Sequence, residues 1–190
     1  MNLEQQATRV LLSWTLLLTP AVGYTQAGGE VFNATATMKA AGGAAASAPV
    51  TVTVDRKMPQ SEVDGLIAAL KNGGAAGLRQ ALTGVPPTGS VRLGGGAPVT
   101  ARITIERTTD KGRLLTIVTD KPIAPLGAGM AGAKPKEGYD FGLADIEVDA
   151  SGRGSGTLMP ATKIAIKGGA LVVGDYSGEL IKLTSVAKAK

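Results

Sequence analysis

The sequence contains neither cysteine nor histidine. Without cysteine there is no disulfide framework, no thiol nucleophile and no thiolate metal site. Without histidine the commonest general base is missing, and with it the Ser-His-Asp triad and most zinc and iron ligand sets. Aromatic side chains are scarce as well. Trp14 and Tyr24 fall in the N-terminal segment, which leaves Phe32, Tyr139, Phe141 and Tyr176 for the rest of the chain. Stacking of sugars or unpaired bases needs aromatic platforms, and four scattered rings supply few. The core therefore has to be built from Val, Ile, Leu and Ala.

Charge of one sign is not concentrated anywhere. The net charge is +5, from 20 basic and 15 acidic residues. Arg102, Glu106, Arg107, Asp110, Lys111 and Arg113 alternate in sign. Such interspersion reads as a mixed, hydrated surface and not as a nucleic-acid footprint. Long apolar runs are absent too. The longest, Val10 to Leu18, follows Arg9 and is broken by Thr19-Pro20. It falls short of the roughly 20 residues of a membrane span. With Thr25-Gln26-Ala27 behind it, the pattern predicts an export signal over residues 1–27, cleaved after Ala27 or after Gly23. No integral membrane segment is expected after cleavage. The expected location is the periplasm or the cell exterior. Residues 28–187 are expected to form one domain, with 188–190 as a tail. A chain of that size can bury roughly 70% of its unfolded surface without a staple.

What is present is mostly strand. Val31 to Lys39 can form one, and "AAGGAAASA" reads as a flexible loop. In "PVTVTVDR", Val50, Val52 and Val54 face one way and Thr51, Thr53 and Asp55 the other. A helical region follows over about 61–83. Ser61-x-x-Asp64 resembles a capping box, and Val63, Leu66, Ile67 and Leu70 form one apolar stripe. Asn72-Gly73 is a stop, and "AAGLRQAL" makes a second short helix with Leu78 and Leu82 inward. Beyond it, "VTARITIERT" and "RLLTIVTD" flank a turn at Asp110-Lys111-Gly112, and "YDFGLADIEVD" and "GTLMPATKIAIK" flank "ASGRGSG". "ALVVGDY" and "ELIKLTSV" follow. Strands joined by short turns pair antiparallel. The expected fold is α+β, mainly β: an antiparallel sheet, as a sandwich or open barrel, with one αα-hairpin insertion.

Several patterns could carry chemistry. Gly127-x-Gly129-x-x-Gly132 has dinucleotide-loop spacing, but the helix that would hold a pyrophosphate is forestalled by Lys134-Pro135-Lys136-Glu137-Gly138. Pro125 to Lys136 is read instead as a mobile connection, and no cofactor is expected. Asp145, Glu147 and Asp149 alternate with Ile146 and Val148 and are the candidate metal ligands. Residues i and i+2 of a strand stand about 6.7 Å apart, so two could approach one Ca²⁺ but not all three. A hydrated strand face is the simpler reading. Asp120, Asp140, Asp145 and Glu147 are the carboxylates available to a histidine-free hydrolase. Ser185-x-x-Lys188 has serine-lysine spacing but is set aside as C-terminal. Asn33-Ala34-Thr35 is an acceptor for glycosylation only in a chain secreted by a eukaryote.

At "PVTVTVDR", "VTDKPI" and "YDFGLADIEVDASGRGSGTLMPATKI" the chain resembles a group of small exported bacterial proteins of unknown function, from about Pro49 to Val186. The resemblance implies export and a bacterial source. It brings no activity, ligand or site residue with it. The similar proteins look richer in aromatics around the segment that here reads "PLGAGMAGAKP". The expected function is that of a non-catalytic exported binding or interaction domain with an unknown partner in the envelope or outside the cell. A carboxylate-dependent hydrolase of the cell envelope is the alternative.

Overall fold

A computed structural model describes residues 29–39, 45–123, 138–167, 170–175 and 181–190. The strands are β1 (Glu30–Lys39), β2 (Ala45–Val54), β3 (Gly89–Leu93), β4 (Val99–Thr109), β5 (Gly112–Thr119), β6 (Phe141–Val148), β7 (Arg153–Lys167), β8 (Ala170–Asp175) and β9 (Ile181–Lys188). One helical element, α1 (Gln60–Thr83), stands between β2 and β3. Among the described residues every pairing is antiparallel, and the order β6-β5-β4-β3-β2-β1-β9-β7 closes through β6–β7 into an eight-stranded barrel. The mainly β, antiparallel architecture expected from the short turns is what forms. β8 stands outside the ring. Thr162 of β7 pairs with Phe141 of β6 and with Asp175 of β8, so β8 takes the edge of β7 that β9 uses further down. β8 and β9 are thus two stretches of one strand line.

An eight-stranded barrel is just wide enough to be filled by its own side chains, and this one is filled. Phe32, Val50, Val52, Val91, Leu115, Ile117, Ile146, Leu158, Ile181 and Leu183 form its interior, each at most 1% exposed. Ala34, Ala36, Ala101 and Ala144 lie between them. The small residues let the walls approach with Phe32 as the aromatic filling, which explains how so few rings suffice. Outward positions such as Asn33, Thr35, Arg92, Lys182 and Thr184 are exposed. That is the reverse of the apolar-out, polar-in alternation of a membrane-spanning barrel. Among the described residues, no helix is long and apolar enough to cross a membrane.

α1 covers the outer side of β4 to β7. Leu66, Leu70, Leu78 and Leu82 pack with Ile103, Val118, Phe141, Leu143 and Ile164. Ile67, expected in the same stripe, is half-buried. The helix starts at Gln60 behind Pro59 and has no side-chain cap, so Ser61 lies one position inside and makes no capping box. Gln60 instead donates to Asp64 at 2.8 Å. By backbone pattern α1 is one element interrupted at Gly74, whose φ of 59° and ψ of −153° are non-helical. A Cβ built on Gly77 would stand 2.6 Å from the Ala69 carbonyl oxygen. A straight helix would separate those residues by about 12 Å, so the arm after Gly74 folds back toward the arm before it.

Boundaries shift elsewhere for identifiable reasons. β2 begins at Ala45, inside the stretch read as loop, because β1 extends to Lys39 and pairs with it. β7 begins at Arg153, since Asp149 tightens the Gly-rich turn. Pro160 is tolerated within β7 beside a register shift between Met159 and Thr162. β9 continues to Lys188, two residues past the sheet end expected from sequence. Residues 1–27, read above as an export signal, and Pro125 to Lys136, read as a mobile connection, lie outside the described residues.

Candidate functional site

Two charged assemblies stand out, and they differ in what is left unsatisfied. The first closes one end of the barrel. Glu30 follows the inward alternation of Phe32 and Ala34, and Arg113 that of Leu115 and Ile117. They meet in a bidentate pair, with Arg113 Nη2 to Glu30 Oε1 at 2.7 Å and Nη1 to Oε2 at 2.9 Å. Arg113 also donates to Glu106 at 2.9 Å and lies 5.8 Å from the centroid of the Phe32 ring. Lys188 reaches Glu30 at 2.7 Å, and Lys57 pairs with Glu106.

These residues are brought together by the strap after β2. Met58 N–H donates to the Thr104 carbonyl at 2.8 Å, which holds residues 55–59 along β4 and sets Lys57 beside Glu106. The hydrogen bond from Arg113 holds the Glu30 carboxyl down at about 2, with help from Lys188 and against the opposing effect of burial. Burial pushes Glu106 up, but hydrogen bonds from Lys57 and Arg113 outweigh it and its carboxyl also ends low. The same contact with Glu30 raises the Arg113 guanidinium further. Each charge in this plug has opposite charges around it, so the plug is read as structural.

The second assembly is open. Arg79, Leu82 and Thr83 from the end of α1, Thr100 and Arg102 from β4, and Asp120 and Lys121 just past β5 line a hollow of about 390 Å³. A β-bulge puts Arg102 there. Ala101 pairs with Thr119 and Ile103 with Val118, so β4 spends one extra residue, Arg102, against a single step of β5. The bulge also reverses the alternation of β4. Ala101 stays inside the barrel, while Ile103 turns out to the helix. Bulges commonly re-aim a side chain beside a site.

Arg102 Nη1 donates to the Val85 carbonyl at 2.6 Å, and its Nε faces Asp120 at 3.3 Å. Arg79 pairs with Asp140 at 3.5 Å. Lys121 accepts from the Thr119 hydroxyl through its carbonyl, but its side chain is exposed and its ammonium has no partner among the described residues. The hollow thus gathers three cations against Asp120 in its wall and Asp140 beside it.

The carboxylates singled out in the sequence are not gathered into one place. Asp145 and Glu147 lie on the outer face of β6. Asp145 accepts from the Thr116 hydroxyl at 2.6 Å, and Glu147 accepts from the Thr109 hydroxyl at 2.8 Å. Asp149 lies past the end of β6. It closes the β6–β7 turn by accepting from Ser151 N–H, Ser151 Oγ and Arg153 N–H. Those bonds, the Ser151 hydroxyl first, hold its carboxyl below the usual range. Among the described residues, no group of three or more acidic side chains could hold a metal ion. Lys188 donates to Glu30, so its ammonium is engaged away from Ser185, which occupies a positive φ of 53° in β9.

The hollow itself was not legible in the chain. Residues 79, 102 and 121 meet only through the topology, and the regular alternation of "VTARITIERT" hides the bulge. Comparison with protein-family models, curated proteins and solved structures gives no match. A functional reading therefore has to rest on the site's own geometry.

Proposed function

We propose that the chain is an exported, non-catalytic binding domain that engages a partner in the envelope or outside the cell. One observation carries this reading: each carboxylate available for catalysis is committed to its own local partner. Asp120 faces Arg102, Asp140 faces Arg79, Asp145 binds Thr116 and Glu147 binds Thr109. A glycosidase-like mechanism needs two carboxyl groups flanking one bond, one of them ready to deliver a proton. An ion-paired carboxylate offers its lone pairs to a guanidinium instead. The alternative, a carboxylate-dependent hydrolase, draws on Asp120, which lines the hollow. The ring of pairings favours a barrel over a sandwich, and the approach of Gly77 to Ala69 favours reading α1 as the expected helical hairpin.

Export rests on residues 1–27 and on the resemblance to exported bacterial proteins. N-terminal sequencing of the native protein is expected to start near Gly28, and an intact Met1 on a cytoplasmic protein would contradict it. Affinity capture from the native envelope, followed by mass spectrometry, is expected to return a saturable partner that excess free protein displaces. Hydrolysis of envelope glycans that disappears in Asp120→Asn would overturn the binding reading in favour of the hydrolase.

A further inference from the structure

We propose that the hollow between the end of α1 and the ends of β4 and β5 is a binding site for the oxyanion head of a small organic acid, either a carboxylate or a phosphate. The inference deepens the binding reading above and rests on it. Its volume of about 390 Å³ lies at the small end of ligand sites, which run from roughly 300 to 1,000 Å³. Leu82 offers an apolar wall, Thr100 offers a hydroxyl group, and Arg79, Arg102 and Lys121 offer positive charge, while the Thr83 hydroxyl is already donated to the Gln80 carbonyl.

The donors needed are in surplus. A guanidinium carries five N–H groups, and among the described residues Arg102 engages its Nε and Nη1 atoms alone. Lys121 engages none. An incoming oxyanion can therefore take charge-assisted hydrogen bonds without detaching Arg102 from Asp120 or from the Val85 carbonyl. The barrel-mouth plug contrasts with this, because Arg113 is already shared between Glu30 and Glu106. Asp120 in the wall sets a limit on charge. It repels a polyanion and leaves a compact mono- or dianion as the class that fits. The bulge gives the arrangement a cause, because a regular β4 would not place position 102 as an extra residue at this edge.

The test is an NMR titration of the ¹⁵N-labelled mature chain at constant ionic strength, with succinate, inorganic phosphate and glycerol 3-phosphate as probes and potassium chloride and glycerol as controls. Saturable shifts at Arg79, Thr100, Arg102 and Lys121 are expected with at least one probe at or below roughly 10 mM. Succinate alone would assign a carboxylate head, and the phosphates alone a phosphate head; both outcomes uphold the site. Lys121→Gln, which breaks no described contact, is expected to weaken binding about threefold, and Arg102→Lys about tenfold, as expected for lost charge-assisted hydrogen bonds. Lys182→Gln, on the exposed face of β9, should bind like the parent. Shifts reproduced by chloride, no saturation with any probe, or unchanged affinity in both Lys121→Gln and Arg102→Lys would overturn the proposal. Envelope capture that succeeds while these titrations fail would leave the binding reading standing and remove this site from it.

Discussion

Glu30 is where single-residue physics is most exposed to measurement. Its carboxyl is held at about 2, against an ordinary 4.5, by the Arg113 hydrogen bond first and by Lys188 after it. A folded-state value below the unfolded one means the stabilisation is fully present above about pH 4.5 and is lost as pH falls toward 2. Glu106 shifts in the same direction and adds to the slope. Glu30→Gln is expected to cost about 1.5–3 kcal/mol at pH 7, the range for hydrogen bonds to charged groups. Urea titrations of parent and variant should converge between pH 4.5 and pH 2. A gap of constant size across that window would mean the plug does not hold Glu30 ionised. The plug was invisible beforehand. Glu106 and Arg113 read as part of a mixed, hydrated surface and Lys188 as part of a tail, and only the inward alternation of β1 and β5 turns Glu30 and Arg113 into the barrel.

At the scale of elements, α1 makes the sharpest predictions. Leu66 is 6% exposed under the helix, and Leu66→Ala should cost about 2–5 kcal/mol. A loss under about 0.5 kcal/mol would mean the helix does not pack on β4 to β7 as described. Adjacent glycines should respond with opposite signs. A Cβ at Gly73 or at Gly74 would meet no atom within 4 Å, so space decides neither case. Gly74 has φ of 59° and ψ of −153°, a region almost closed to other residues. Gly74→Ala should therefore destabilise by about 1–3 kcal/mol. Gly73→Ala should stabilise by about 0.4–1 kcal/mol through the unfolded chain. Thermal melts of the two variants that move the same way would contradict the break at Gly74. Strands with strict alternation, such as "PVTVTV", and turns such as Asp110-Lys111-Gly112 were readable because period and turn chemistry are local. The β4 bulge and the missing capping box were not, since the bulge is a register shift against β5 and the helix starts at Gln60 just after Met58 is tied to Thr104, both partners distant in sequence.

For the whole molecule, the antiparallel and mainly β character followed from strands joined by short turns, while closure did not. Nothing local tells the first strand that it will pair with the last. Closure depends on β1 meeting β9 and on β7 serving both β6 and β9. It also governs the functional reading: a closed barrel filled by Phe32, Leu115, Ile117 and Ile146 has its interior occupied, which directs recognition to the outer hollow. The most direct test is a search for cross-strand nuclear Overhauser effects between β1 and β9 in the full chain. The expected result is backbone contacts between Thr35 and Thr184 and between Thr37 and Lys182, with amides of both strands as slow to exchange as those of β5. Absence of these contacts, with β9 amides exchanging as freely as those of an unpaired strand, would contradict the closed barrel and the proposal that sites recognition on its outer surface.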